Sequence, residues 1–392
     1  MDNKTIAIDT PFRHADAYGA LSMPVYHTCA FEFDTAQQMS EVFSGRILEP
    51  DYSRTMNPTV SFLEDKVTAI TGAQSTVAFN SGMAAISNTL LATASCGQNI
   101  VASRHLFGNT YSMLSKSFAR LGITTRFVDL TDLDATSKVI DDHTACIFLE
   151  IVTNPQLEVA DLKALSSLAH AHNIPLIADS TIIPFTEFSS KALGIDVEVV
   201  SSTKYLSGGA TSLGGLSINY GTFPKISNRL QTEMLFNFGA YMTPHAAYMQ
   251  SIGLETLHAR YKVQSSNALA IATSLEQNIH VRKVGYLGLP SNQYHALARE
   301  QFGPTAGAMV TFDLDSQEQC FRFIDNLRLV RRATNLFDNR TLAIHPYSTI
   351  FVNFTPEEKA KMDVLPTTIR LSIGLEDPTD ILADIEQALE KI

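Results

Sequence analysis

The chain has 392 residues, of which 45% are hydrophobic and 18% charged, with a formal net charge of −11. That length suits two or three domains of roughly 100 to 200 residues and a large buried core, and the composition is that of an ordinary soluble globular protein. An acid excess without clustered Lys and Arg argues against a nucleic-acid partner. No apolar run nears the ~18 residues of a membrane span and no basic, apolar leader opens the chain, so a cytoplasmic protein that binds no membrane is expected.

Residues 1–56 are rich in turn formers and poor in periodicity, and read as an arm. A helix opens at Asn57-Pro58, with Asn as N-cap and Pro in its first turn; Val60, Leu63, Val67 and Ile70 form one stripe and Gly72 closes it. Residues 75–79 read as a strand that turns through Asn80-Ser81-Gly82-Met83 into an apolar helix over 84–94. Such a turn offers free backbone N–H groups and the positive end of a helix dipole, which suits a phosphate, although Ser-Gly before a helix is common.

Strands are expected at 99–103, 123–128, 146–152, 174–178, 196–200 and 214–219, with helices at 109–121 and 162–171 between them. Alternation of near-continuous apolar strands with helices implies a mostly parallel sheet covered on both faces. After about residue 235 a long helical stretch over 246–277, strands at 306–314 and 368–375 and helices at 317–327 and 378–392 suggest a smaller α+β domain. The expected division is 1–56 as arm, 57–235 as α/β domain and 236–392 as C-terminal domain.

Cys29, Cys96, Cys146 and Cys320 are scattered, which indicates reduced thiols and no disulfide frame. His170 and His172 stand at i and i+2, which do not share a helix face, and no metal site is expected. No G-x-G-x-x-G or P-loop follows any strand, which removes a nicotinamide oxidoreductase from consideration.

The informative stretch is Val199-Val200-Ser201-Ser202-Thr203-Lys204-Tyr205, followed by a glycine-rich turn. Lys204 follows a buried run, where lost hydration favours the neutral amine of a nucleophilic or Schiff-base lysine; the alternative is a surface lysine capping the turn. Asp179 ends the preceding apolar run, so two strands would bring an acid and a lysine to one sheet edge, where open α/β sheets bind ligands. Pyridoxal 5'-phosphate (PLP) needs that pair: the lysine carries the aldehyde and the acid keeps the pyridine nitrogen protonated. Arg370 stands inside an apolar strand and needs an anion, either a buried Glu or Asp or a ligand.

With Tyr52-Ser53-Arg54, Asn57-Pro58-Thr59, Ser81-Gly82-Met83-Ala84-Ala85, Glu150, Asn154-Pro155, Asp179, Ser201 to Tyr205, and Ile369-Arg370-Leu371-Ser372-Ile373-Gly374, the chain resembles the Cys/Met-metabolism family of PLP enzymes over nearly its whole length. The resemblance implies a fold-type I α/β transferase that assembles as a homotetramer from dimers sharing active sites. It also implies that Tyr52 and Arg54 reach a neighbour's cofactor phosphate, although Arg54 alone would read as a surface salt bridge. Ser81, Gly82, Met83, Ser201 and Thr203 are implied to bind the cofactor in the chain's own site. Asn154 is implied to hold its phenolic oxygen, Asp179 its pyridine nitrogen and Lys204 its aldehyde. Arg370, helped by Asn335, is implied to clamp the substrate carboxylate. Phe107 stands where the family usually has a stacking tyrosine, and Gly208-Gly209 departs from the usual Gly-His.

Thr211 to Gly215, Met56 to Val60 and Leu342 to Pro346 resemble the sulfhydrylase branch. Asn109 replaces the cysteine of methionine γ-lyases, and Asn335 the serine typical of lyases. The expected reaction is therefore O-acetylhomoserine sulfhydrylation. Methionine or cystathionine γ-lyase and cystathionine γ-synthase are the alternatives within the family. A non-catalytic binding protein of the same fold is the alternative outside it.

Overall fold

The computed structural model describes residues 1–11 and 16–392, so 12–15 of the arm lie outside the described residues. Its larger sheet consists of β1 (Ser75–Phe79), β2 (Asn99–Ser103), β3 (Thr124–Val128), β4 (Thr144–Glu150), β5 (Leu176–Asp179), β6 (Val197–Val200) and β7 (Gly215–Asn219), in the order β1-β7-β6-β5-β4-β2-β3. Strands β2 to β6 pair in parallel, as apolar runs joined by helices should. The sheet is nonetheless mixed, because β7 runs antiparallel to both β6 and β1.

Alternation along each strand divides two cores. Ile147 and Leu149 of β4 face a core with Leu63, Val67, Leu162 and Leu165, while Cys146 and Phe148 face one with Ile86, Leu90, Leu114 and Phe118. The helix Pro58–Thr71 forms as its signals require: the Asn57 side chain accepts from Thr59 N and Gly72 closes it at a φ of 62°. Burying Val60, Leu63, Val67 and Ile70 contributes about 1.5 to 3 kcal/mol each.

The second sheet holds β8 (Lys283–Gly285), β9 (Met309–Asp313), β10 (Arg331–Arg332), β11 (Leu342–Ile344) and β12 (Thr368–Ser372), in the order β10-β11-β12-β9-β8. Several elements differ from expectation. The stretch 246–277 divides into helices Pro244–Glu255 and Leu257–Glu276, because Thr256 departs from helical geometry at φ −104° and ψ 2°. Sequence periodicity missed the helix Leu133–Val139 and the helical turns running from Pro224 to Phe238. The arm carries two short helices, Asn3–Ile8 and Ala36–Phe43. Among the described residues no helix is long and apolar enough to cross a membrane.

Candidate active site

Parallel pairing of β4 with β5 sets Glu150 directly opposite Asp179 at the strands' carboxyl ends, and β6 continues into the turn that carries Lys204. Around this edge lies a cavity of about 490 Å³ lined by Ser81, Gly82, Met83, Phe107, Asn154, Asp179, Ser201, Thr203, Lys204 and Arg370, and also by Glu150, Asn109, Leu213 and Ile350.

The cavity's floor is a close junction. Ser81 caps the helix Gly82–Thr93 by accepting from Ala84 N (3.2 Å), and helix geometry leaves the Gly82 and Met83 amides without intrahelical partners. A Cβ on Gly82 would lie 2.5 Å from Ser201 Cβ, so glycine lets this helix start abut the lysine-bearing turn. Ser201 N donates to Thr181 Oγ1 (2.8 Å), and Thr203 Oγ1 accepts from Gly214 N (2.9 Å), which fixes the turn.

Lys204 is no surface lysine. Burial first, and then the Arg370 guanidinium, bring its ammonium down to about 8, against a smaller opposing effect of Asp179. Its Nζ donates to Asn335 Oδ1 (2.9 Å). Asp179 accepts from Thr181 N (2.8 Å) and is pushed upward mainly by burial. Glu150 is pushed well above the usual carboxylate range, by burial and then by Asp179 beside it. Its Oε1 accepts from Phe107 N (2.6 Å), tying the acid to the backbone of the aromatic residue. The sequence reading gave Glu150 no role, although it ends its apolar run as Asp179 ends the next.

Arg370 lies in β12 and is 3% exposed. Its Nη1 donates to Asn154 Oδ1 (3.1 Å) and its Nη2 to Asn335 O (3.4 Å), while its Nε is buried without a partner. Among the described residues it makes no ion pair, so the buried salt bridge weighed for it is absent. Burial brings it down to about 9. A buried fork with an unmatched donor suits an incoming carboxylate.

Tyr52 and Arg54 do not join this cavity. They line a separate groove with Phe31, Phe43 and Phe236, where Arg54 Nη1 donates to Phe236 O (2.5 Å) and Tyr52 is 45% exposed. At Gly209 the reason for the missing histidine is visible: φ is +130°, and a Cβ would lie 2.7 Å from Asn339 Nδ2. No group of metal-ligating side chains occurs among the described residues.

The site therefore fits a phosphorylated pyridine aldehyde, with a lysine, an acid, an aromatic ring and a helix start around one cavity. The comparisons agree. The family model for Cys/Met metabolism PLP-dependent enzymes matches residues 4–390. The chain is 34% identical to an L-methionine gamma-lyase of Fusobacterium nucleatum over 400 residues, covering all of both proteins. It is 35% identical to an O-succinylhomoserine sulfhydrylase of Pseudomonas aeruginosa, covering 93% of this chain and 90% of the relative. A crystal structure from Campylobacter jejuni, assigned as an O-acetylhomoserine (thiol)-lyase and carrying N'-pyridoxyl-lysine-5'-monophosphate, superposes with a TM-score of 0.96 at 32% identity, with full coverage of both chains.

Proposed function

Because the chain belongs to the Cys/Met metabolism PLP-dependent enzymes, we propose that it catalyses γ-replacement on O-acetylhomoserine, with sulfide or a thiol displacing the acyl group to give homocysteine or methionine. When bound, the cofactor supplies an electron-accepting ring that stabilises negative charge at the substrate's α-carbon.

The protein's own groups do the rest. Lys204, with its ammonium brought down to about 8, is the linking lysine and then the base that takes the α-proton. Asp179 would hold the pyridine nitrogen, Phe107 would stack on the ring and Asn154 would hold the phenolic oxygen. Ser81, Gly82, Met83, Ser201 and Thr203 would take the phosphate at the helix start. Arg370, steadied by Asn335, holds the substrate carboxylate.

The observation that carries the choice of reaction is Phe107. Among the described residues, the ionisable side chains lining the cavity are Glu150, Asp179, Lys204 and Arg370; no phenol, imidazole or thiol lines it. With Lys204 engaged at the α-proton, Glu150 bound to the Phe107 amide and a neighbouring subunit's Tyr52 assigned to the phosphate, this chain keeps no further group of its own as a dedicated acid for the γ-substituent. A carboxylic acid titrates near about 4 and a thiol near about 8.5. An acyl group thus leaves as a stable anion, whereas a thiolate is held back. The sulfhydrylase relative and the O-acetylhomoserine (thiol)-lyase neighbour support this reading; the methionine γ-lyase relative supports elimination instead.

The holoenzyme should convert O-acetylhomoserine plus sulfide to homocysteine, and should release ammonia and a keto acid from methionine at least about 100-fold more slowly, the scale of one missing general acid. Comparable turnover of methionine alone would overturn the assignment.

We also place Tyr52 and Arg54 at a neighbouring subunit's phosphate within a homotetramer. Their place in a groove separate from their own chain's cavity and the exposure of Phe43 and Leu48 on the arm support this. The four free cysteines fit a reducing, cytoplasmic setting.

A further inference from the structure

Segment 346–364 closes one side of the cavity. It contributes Thr349 and Ile350 to the lining and carries a small core of its own, formed by Phe351, Phe354, Met362 and Val364. It meets the larger sheet's side at several points, among them Gly108, where a Cβ would lie 2.8 Å from Ile350 O, and Lys116, whose Nζ stands over the Phe354 ring. Phe354 meets Tyr111 edge to face with ring centroids 5.8 Å apart, Gln156 Nε2 donates to Met362 O (2.5 Å), and Asp363 meets His105.

The last contact is unlike the others. The His105 ring is almost fully buried, two residues before Phe107, with both nitrogens on carboxylates from different parts of the fold. Nε2 lies 2.9 Å from Asp363 Oδ2 and Nδ1 3.2 Å from Glu158 Oε2. Nε2 has hydrogen-bond geometry to Asp363, whereas Nδ1 is within ion-pair range of Glu158 without it, so the imidazolium puts a charged donor on Asp363 and a positive charge beside Glu158, while the neutral ring keeps at most one uncharged N–H for the pair. The charged groups facing this ring are Glu158, Asp363, Arg104 and Asp129. Arg104 lies 3.1 Å from Asp129 and 3.5 Å from Asp363, and the Tyr294 hydroxyl donates to Glu158 (3.4 Å). Asp363 also holds a φ of 52°, a conformation that non-glycine residues adopt at a cost and that aims its carboxylate at the ring.

We propose that His105 is a positioning residue: as an imidazolium clamped between Glu158 and Asp363 it pins segment 346–364 against the cavity, and loss of its proton loosens that wall. Glu158 and Asp363 raise the imidazole against the opposing effect of burial. A group raised on folding contributes its stabilisation at low pH and loses it as pH climbs through the raised value. The clamp is therefore closed in mildly acidic solution and opens as pH rises.

Hydrogen–deuterium exchange of the holoenzyme tests this without reference to any substrate, and so separately from the proposed reaction. After correction for intrinsic exchange rates, protection across 346–364 should fall roughly tenfold between about pH 6 and pH 9 in the wild type, the scale of one hydrogen bond to a charged group. His105→Gln should show the low protection at both pH values. Asp363→Asn, at a half-exposed side chain that does not threaten folding, should do the same. The KM for the amino-acid substrate, taken as the ratio of variant to wild type, should fall toward unity as pH rises, with kcat little changed. A pH-independent ratio, or wild-type protection in Asp363→Asn, overturns the proposal.

Discussion

Gly82→Ala tests the junction on which the proposed cofactor site rests. The added Cβ would sit 2.5 Å from Ser201 Cβ, 2.8 Å from Ser201 Oγ and 2.9 Å from Ser201 Cα. Neither side yields easily, since Ala85, Ile86 and Leu90 anchor the helix and Val199 and Val200 anchor the strand before the turn, all buried. The two elements must part by about 1 Å, and overpacking of that kind costs about 1 to 3 kcal/mol. The same separation moves the Gly82 and Met83 amides away from the Lys204 turn, so cofactor affinity should fall at least about tenfold, as misplacement of a pre-organised group does. Urea unfolding of the cofactor-free protein measures the first effect, and absorbance titration with pyridoxal phosphate the second. Adding Ser201→Gly removes two of the three offending atoms and should restore part of both losses. The reasoning is refuted if Gly82→Ala matches wild type in both assays, or if Ser201→Gly restores nothing.

Phe107→Tyr supplies the missing phenol and should raise ammonia release from methionine about tenfold or more over wild type; an unchanged rate in a variant that binds cofactor normally would detach the leaving-group argument from this position. Lys204 gives a pH signature: its ammonium titrates at about 8 when folded against 10.5 ordinarily. Between those values the unfolded chain binds the extra proton, so stability of the cofactor-free protein should gain about 3 kcal/mol from this group as pH rises from 8 to 10.5. Lys204→Met should remove that gain in urea unfolding, and equal slopes for the two proteins would contradict it. Gly209→His, which restores the residue usual in the family, should destabilise by about 1 to 3 kcal/mol because of the φ of +130°; an unshifted thermal midpoint would show that the loop tolerates a side chain.

Much of the site was legible because its signals are local. Asp179 and Lys204 each follow an apolar run, Ser81-Gly82 joins a strand to a helix, and Arg370 interrupts an apolar strand; each pattern is complete within about ten residues. What escaped depends on distant chain. The reversal of β7 is decided by its pairing with β1, more than a hundred residues earlier, and an apolar five-residue run reads alike in either direction. The break at Thr256 leaves the apolar pattern on both sides intact. The resemblance implies that Asn335 helps Arg370, as its carbonyl does, but that its side chain also accepts from Lys204 required the fold. His105 acquires meaning only through Asp363, 258 positions away.

These two kinds of signal bear on different questions. The proposed roles of Lys204, Asp179, the helix start at Gly82 and the buried fork of Arg370, to hold PLP and an α-amino acid, are the same whichever group leaves the γ-carbon. Overall similarity follows that shared machinery, which is why a γ-lyase at 34% identity and a sulfhydrylase at 35% are equally near. Under the proposed reaction, the leaving group is decided by what can give it a proton. Replacing a phenol by a phenyl at residue 107 leaves stacking intact while removing one hydroxyl donor from that position. With Glu150 bound to the Phe107 backbone and Asp179 assigned to the pyridine nitrogen in the proposed site, that change would favour substrates whose γ-substituent is already a stable anion. On the proposed reading, substrate class is set at a position that contributes almost nothing to identity scores.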